Sequence, residues 1–253
     1  MSFELASRGS KNARHRIKGR NAVDAKEIAA LADRIVEGRR SKTTMDWRAA
    51  ATADLSEQDA YKVQFAVQDR LEAIGWGKRA GWKVAFAVPA QYEPLKLSGP
   101  AFAGLYTSGI KQSCAVFEKG WPLKAGVECE MVARMGKDAP AGTEYTAQSI
   151  QDFVSNLYCG MEVVENRYGD VSKLGGPGRI ADDVLQAACI VGTEIKDWQK
   201  TDFVNVKGRS EFEGKEIGAG PGSNVMGGAM ISLAWLANRL IANGKQLKAR
   251  DMI

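Results

Sequence analysis

The chain has 253 residues, 45% of them hydrophobic and 26% charged, enough for one large domain or two small ones with a sizeable core. Its formal charge of +5 arises wholly in residues 1 to 20, where Arg8, Lys11, Arg14, Arg16, Lys18 and Arg20 stand against Glu4, leaving 29 basic and 29 acidic residues in the body. A nucleic-acid-binding body carries its own basic face, so no nucleic-acid partner is expected.

Residues 1–21 lack the apolar core of a secretory signal and read as a disordered basic tail. Residues 22–78 read as an N-terminal helical region. Asp24 and Glu27 have capping-box spacing ahead of Ile28, Leu31, Ala32 and Ile35 at helical period, which predicts a helix over 24–38. Ser56 and Asp59 open a second helix, to about Gly75. Residues 79–253 read as a β-rich catalytic core, with short runs G-W-K-V-A-F-A, A-G-L-Y-T, V-E-C-E-M-V-A-R, M-E-V-V-E-N-R, V-L-Q-A-A-C-I-V-G and F-V-N-V-K-G between Gly, Pro and polar turns. One helix is expected within this region from Ala147 to Cys159, since Ile150, Phe153, Val154 and Leu157 share a helical face. Another is expected from Gly228 to Asn243, with Gly244 as its C′ residue. That last helix carries Asn238 and Arg239, so it reads as core-facing, with no membrane span expected.

Cys114, Cys129, Cys159 and Cys189 form no C-x-x-C pair. Cys129, Cys159 and Cys189 lie in apolar runs, which predicts reduced core cysteines in a cytoplasmic protein. The runs L-G-G-P-G-R and G-A-G-P-G-S-N-V-M-G-G lack phosphate-loop spacing and read as turns.

The stretch G-V-E-C-E-M-V, residues 126 to 132, places two carboxylates inside an apolar run. In a strand, Glu128 and Glu130 project from one face about 7 Å apart, while Val127, Cys129 and Met131 face the other way, toward the core. The spacing leaves two readings open. In one, the glutamates are solvated on an edge strand. In the other they share a cavity, where their pKa values rise unless a cation lies between them. Glu162 alternates in the same manner in the strand at 161–167. Three oxygen donors without histidine suit a hard divalent ion such as Mg²⁺ or Mn²⁺. The single histidine, His15, lies in the tail, and no G-x-S-x-G elbow occurs, so imidazole-dependent and serine-hydrolase chemistry in the body are disfavoured. Lys83 in G-W-K-V is the remaining catalytic candidate, against the alternative of a surface lysine.

Taken in order, G-W-K-V at 81–84, P-x-F-x-G-L at 100–105, E-x-E at 128–130, M-E-V-V-x-N-R at 161–167, A-D-D at 181–183, G-x-x-x-x-L-A-W-L-A-N at 228–238 and G-x-x-L-K at 244–248 resemble the 2-keto-4-pentenoate hydratase and 4-oxalocrotonate decarboxylase family of the fumarylacetoacetate hydrolase superfamily. The resemblance covers residues 24–253. It implies an α+β fold, a mixed β-roll core behind the helical region, assembled as a homo-oligomer. It further implies Mg²⁺ or Mn²⁺ held by Glu128, Glu130 and Glu162, and Lys83 and Asp182 against a small 2-oxo or 2-hydroxydienoic acid. The implied activity is hydration of 2-hydroxypenta-2,4-dienoate to 4-hydroxy-2-oxopentanoate in aromatic meta-cleavage catabolism. Decarboxylation of 4-oxalocrotonate and a catalytically degenerate binding or partner subunit are the alternatives.

The sequence also departs from the family. Ala101 stands where an aspartate is expected, and Ala85, Phe86 and Ala87 replace Gly-Leu-Thr. Asp183, Val184 and Leu185 replace Asn-Ala-Ser. After Asp251, Met252 and Ile253, relatives continue into a Thr-Gly turn and closing strands, which leads to the expectation of an exposed sheet edge.

Overall fold

The computed structural model describes residues 23–52 and 55–253, so the expectations for the basic tail and His15 lie outside the described residues. Helix α1 (Ala25–Ser41) starts where the Asp24 side chain accepts from the Glu27 amide, and α2 (Glu57–Ala73) starts where Ser56 accepts from Asp59. Both caps satisfy amides that a first helical turn leaves unpaired. The two helices bury Leu31, Ile35, Val67 and Leu71 in one core with Trp82 and Phe102 of the strands that follow and with Leu236 and Leu240 of the last helix.

Strand β1 (Arg79–Ala85) pairs antiparallel with β2 (Ala101–Tyr106), with the short α3 (Tyr92–Leu95) between them. A four-stranded sheet has the order β3 (Ile110–Gln112), β6 (Gln186–Glu194), β5 (Val154–Glu165), β4 (Ala125–Met135), with β3 and β6 parallel and the other pairs antiparallel. Residues 251–253 join the two sheets. The amide of Trp82 donates to the Met252 carbonyl at 2.9 Å, and Ala133 and Ile253 exchange both backbone bonds at 2.9 and 2.8 Å. The edges of β1 and β4 that face this segment are therefore paired to it rather than exposed. Gly81 makes the approach possible, since a Cβ there would lie 1.8 Å from the Met252 carbonyl oxygen. The result is a mixed, rolled sheet beside the helices, an α+β fold.

Helix α5 (Ala229–Ala242) ends in a Schellman motif. Gly244, at φ +69°, donates to Ile241 and Lys245 donates to Leu240, as its glycine predicts. The segment Gly222–Ala242 is long and apolar enough by composition to cross a membrane, but Leu233, Leu236 and Leu240 pack into the protein core.

Four further expectations are corrected. Residues 147–159 are not a helix. A 3-10 turn (Ser149–Phe153) leads directly into β5, because Ala133, Val132 and Met131 pair with Leu157, Tyr158 and Cys159, and ladder pairing overrides the helical spacing. Residues 203–206 do not begin a strand. Asp202 accepts from the amides of Val204 and Asn205 and closes a turn, so β7 (Lys207–Phe212) starts later and forms a hairpin with β8 (Lys215–Pro221). The L-G-G-P-G-R glycines are not a turn but begin α4 (Gly175–Ala181). A Cβ on Gly176 or Gly178 would meet Leu97 at 2.5 Å or Leu174 at 2.7 Å, so these glycines serve close packing. Finally, only Cys189 is a buried cysteine. Cys129 and Cys159 are exposed with Val127 on the outward face of β4 and β5, which the described residues leave partly uncovered.

Candidate metal centre

The glutamates converge because the β4–β5 register sets Glu128 directly opposite Glu162, with Glu130 opposite Gly160 on the same face. One oxygen from each of Glu128, Glu130 and Glu162 lies within 4.8 Å of the others. Glu128 is exposed, Glu130 partly buried and Glu162 buried, so the cluster lies at the rim of a cavity. On β6, Cys189 pairs with Glu162. From the facing sheet, β1 directs Lys83 inward, where its ammonium contacts a carboxylate oxygen of the buried Glu162.

Burial and then the charge of Glu162 push Glu130 up to about 7, with Lys83 opposing the rise. Burial likewise raises Glu162, against the pull of Lys83. A single lysine does not neutralise three clustered carboxylates. A divalent cation would relieve this crowding, and an all-oxygen donor set suits a hard ion. The residues therefore fit the ion they were expected to hold.

The cavity encloses about 100 Å³. Its walls are mainly apolar and come from Leu105, Val132, Leu157, Met161, Met230 and Leu233. Ser232 contributes the hydroxyl group in the lining. The Cys189 thiol also faces it, and burial followed by the charges of Glu162 and Glu130 pushes that thiol up to about 12, so it stays protonated and inert as a nucleophile. Sequence reasoning missed both Ser232 and Cys189. Ser232 lies in an apolar helical run, and no spacing rule marks it.

Asp182 does not join Lys83 and the glutamates. It is fully buried at the end of α4, where its carboxylate accepts from Arg39 Nε at 2.7 Å and Tyr168 at 2.9 Å, and Arg167 Nε lies 3.4 Å away. The next residue, Asp183, is also fully buried and accepts from the Gly104 amide, Gln68 and Tyr106 at 2.9, 2.8 and 2.5 Å. Burial and the Asp183 charge hold the Tyr106 phenol well above its ordinary range, so it acts as the donor. Asp183, Val184 and Leu185 all adopt positive φ, at 46°, 49° and 61°. That conformation costs a non-glycine residue roughly 1–2 kcal/mol, and this network holds it in place.

No family model matches the chain. Among curated proteins, it is 24% identical over 230 residues to a 2-keto-4-pentenoate hydratase of Paraburkholderia phymatum, covering 91% of this chain and 87% of the relative. It is 24% identical over 202 residues to a 4-oxalocrotonate decarboxylase of Pseudomonas sp. strain CF600, covering 79% and 75%. Among solved structures, the 4-oxalocrotonate decarboxylase of Pseudomonas putida G7 complexed with calcium and acetate superposes with a TM-score of 0.80 at 21% identity, over 92% of this chain and 88% of that one. The same enzyme complexed with magnesium and adipate gives 0.76. A Yersinia pestis CO92 protein assigned to the fumarylacetoacetate hydrolase family gives 0.51 at 10% identity, over 83% and 85%. The motifs, the curated relatives and the fold agree: the chain is similar over nearly its whole length to the 2-keto-4-pentenoate hydratases and 4-oxalocrotonate decarboxylases, and it has the fumarylacetoacetate hydrolase type of fold.

Proposed function

We propose that the chain is a divalent-metal-dependent lyase acting on a short 2-oxo or 2-hydroxydienoic acid, with hydration of 2-hydroxypenta-2,4-dienoate as its reaction. The observation that carries this reading is the convergence of Glu128, Glu130 and Glu162 with Lys83 at the mouth of an apolar cavity. Mg²⁺ or Mn²⁺ bound by the three glutamates would supply Lewis acidity at the substrate's 2-oxo group. Lys83 offers a cation for the substrate carboxylate or for negative charge developing on the enolate. Leu105, Val132 and Leu233 would hold the hydrocarbon part of the substrate and exclude bulk water, which strengthens the Lys83 interaction.

Decarboxylation of 4-oxalocrotonate is the second reading. It is favoured by the lining of the cavity, whose titratable side chains among the described residues are Lys83, Glu130, Glu162 and the inert Cys189 thiol. Loss of CO₂ requires no base to activate water.

Purified protein with Mg²⁺ or Mn²⁺ should consume the dienol, followed by absorbance, while Glu130→Gln should not. Failure of the wild type to consume either the dienol or oxalocrotonate would refute both readings. We also infer a homo-oligomer, since Val127, Phe212 and Ile217 are at least half exposed. Light scattering that gives a monomer mass would refute this.

A further inference from the structure

A second cavity, of about 290 Å³, opens at the other end of the rolled sheet. The strands show the relation. Along β4, Glu130 belongs to the metal cavity, Val132 is buried, and Arg134 reaches the second cavity. Along β5 and β6 the corresponding steps run from Glu162 to Tyr158 and from Cys189 to Val191. A small apolar cluster of Leu105, Val132, Cys189 and Val191, with Ile110, Tyr158 and Met252 packed against it, forms the partition between the two.

The lining of this second cavity has a distinctive composition. It contains two arginines, Arg134 and Arg250, and no acidic residue. Neither arginine makes an ion pair among the described residues, which it shares with Arg34, Arg79, Arg179 and Arg239; what sets Arg134 and Arg250 apart is that they line one cavity together. The turn that presents Arg250 is built. Asp138 accepts from the Ala249 amide at 2.8 Å, Asp251 accepts from the Lys248 amide at 2.9 Å, and the Arg250 amide donates to the Met135 carbonyl at 2.8 Å. Together they hold Arg250 at φ +74°, a conformation that arginine does not favour on its own. Beside the two arginines the floor is apolar, formed by Ile110, Val191 and Met252, with Gln112 and Tyr158 as neutral polar residues in the lining.

We propose that this cavity is a second binding site, for a small organic acid whose carboxylates pair with Arg134 and Arg250 and whose short carbon chain rests on Ile110, Val191 and Met252. Guanidinium groups bind carboxylates in bidentate fashion. The apolar floor selects an organic acid over inorganic phosphate, which would leave that surface without a partner. Occupancy requires neither the metal nor turnover, so the site stands whether or not the lyase reading does.

Methionine-methyl NMR separates the two cavities, because Met252 lines this one while Met131, Met161 and Met230 line the metal cavity. With EDTA present, titration of the full chain with glutarate is expected to shift the Met252 methyl saturably, including in Lys83→Met. The double variant Arg134→Gln/Arg250→Gln should weaken that binding at least tenfold, and Arg134→Lys should fall between. Both arginines are exposed, so the melting midpoint serves as the folding control. Shifts confined to Met131, Met161 and Met230, or an undiminished Met252 shift in the double variant, would overturn the proposal. Phosphate moving Met252 with higher affinity than glutarate would overturn its assignment to an organic acid.

Discussion

Replacing Glu130 with glutamine keeps the side chain's shape and removes its charge, and crowding of the three carboxylates gives this change two opposite effects. Glu130 is held at about 7 against an ordinary 4.5. Its folded pKa lies above the unfolded one, so the destabilisation is absent below pH 4.5, grows as the pH rises and is complete once the pH passes 7. At about 1.4 kcal/mol per pKa unit, the full effect at pH 8 is roughly 3 kcal/mol, reduced to about 1–3 kcal/mol by the partial solvent access of the side chain. In EDTA at pH 8, Glu130→Gln should therefore melt several degrees above the wild type, at roughly 2–4 °C per kcal/mol for a chain of this size. The gain should shrink to about 1 kcal/mol or less at pH 5.

Mg²⁺ should reverse the order. The wild type gains about 2.7 kcal/mol at a metal concentration a hundred times its Kd, and the variant, lacking one of three ligands, gains little. Scanning calorimetry of both proteins, with EDTA and with Mg²⁺, measures all four states. A variant that melts below the wild type in EDTA at pH 8 would refute the crowding. One protected by Mg²⁺ as strongly as the wild type would refute Glu130 as a ligand.

Lys83→Met should lower turnover by about 10²–10³ while Mg²⁺ binds at least as tightly, because a competing cation has gone; weaker metal binding by titration calorimetry would count against this. Mg²⁺ affinity itself should fall about tenfold per pH unit below pH 7, since Glu130 must release a proton to bind; a flat affinity between pH 5.5 and 6.5 would contradict the raised pKa. Asp182→Ala should cost about 3–5 kcal/mol in urea unfolding, because it leaves Arg39 and Arg167 buried without their partner. A raised KM with unchanged stability would instead give Asp182 a direct contact with substrate.

The site was legible in the sequence to the extent that it depends on strand period. Glu128 and Glu130 share a face because successive residues alternate, and Glu162 carries the same signature. What brings Glu162 opposite Glu128 is the β4–β5 register, which extends to Leu157 and beyond. That part of β5 was hidden, because Ile150, Phe153, Val154 and Leu157 also satisfy a helical period. The outward face of β4 was misjudged for a related reason. Alternation identifies two faces, and the apolar character of Val127, Cys129 and Met131 suggested one of them as core, which holds for Met131, packed against the main core, and fails for Val127 and Cys129. In the fold Glu130 and Glu162 line the inner cavity with Glu128 exposed beside them, while Val127 and Cys129 point outward. Apolar residues mark the core only where another element covers them.

The departures from the family pattern read differently once the residues are placed. Ala101 is fully buried in the main core, on β2 opposite Ala85. Asp183 accepts from the Gly104 amide and the Tyr106 hydroxyl of the same strand. Strand β2 pairs in turn with β1 through Ala103 and Lys83. An aspartate at position 183 can replace an amide there because Arg39 offsets its charge and three donors satisfy it, and with those partners it anchors the sheet that carries Lys83. None of Ala101, Asp183 and Leu185 lines the metal cavity. The changes that seemed to remove reactive groups fall instead in the packing around the lysine strand, whereas Lys83 and the three glutamates remain together. Burial and the neighbouring Glu162 raise Glu130 to about 7 and Lys83 offsets only part of that rise, so the calorimetric comparison with EDTA and with Mg²⁺ also tests the degenerate reading, for which Mg²⁺ protection of the wild type should be missing.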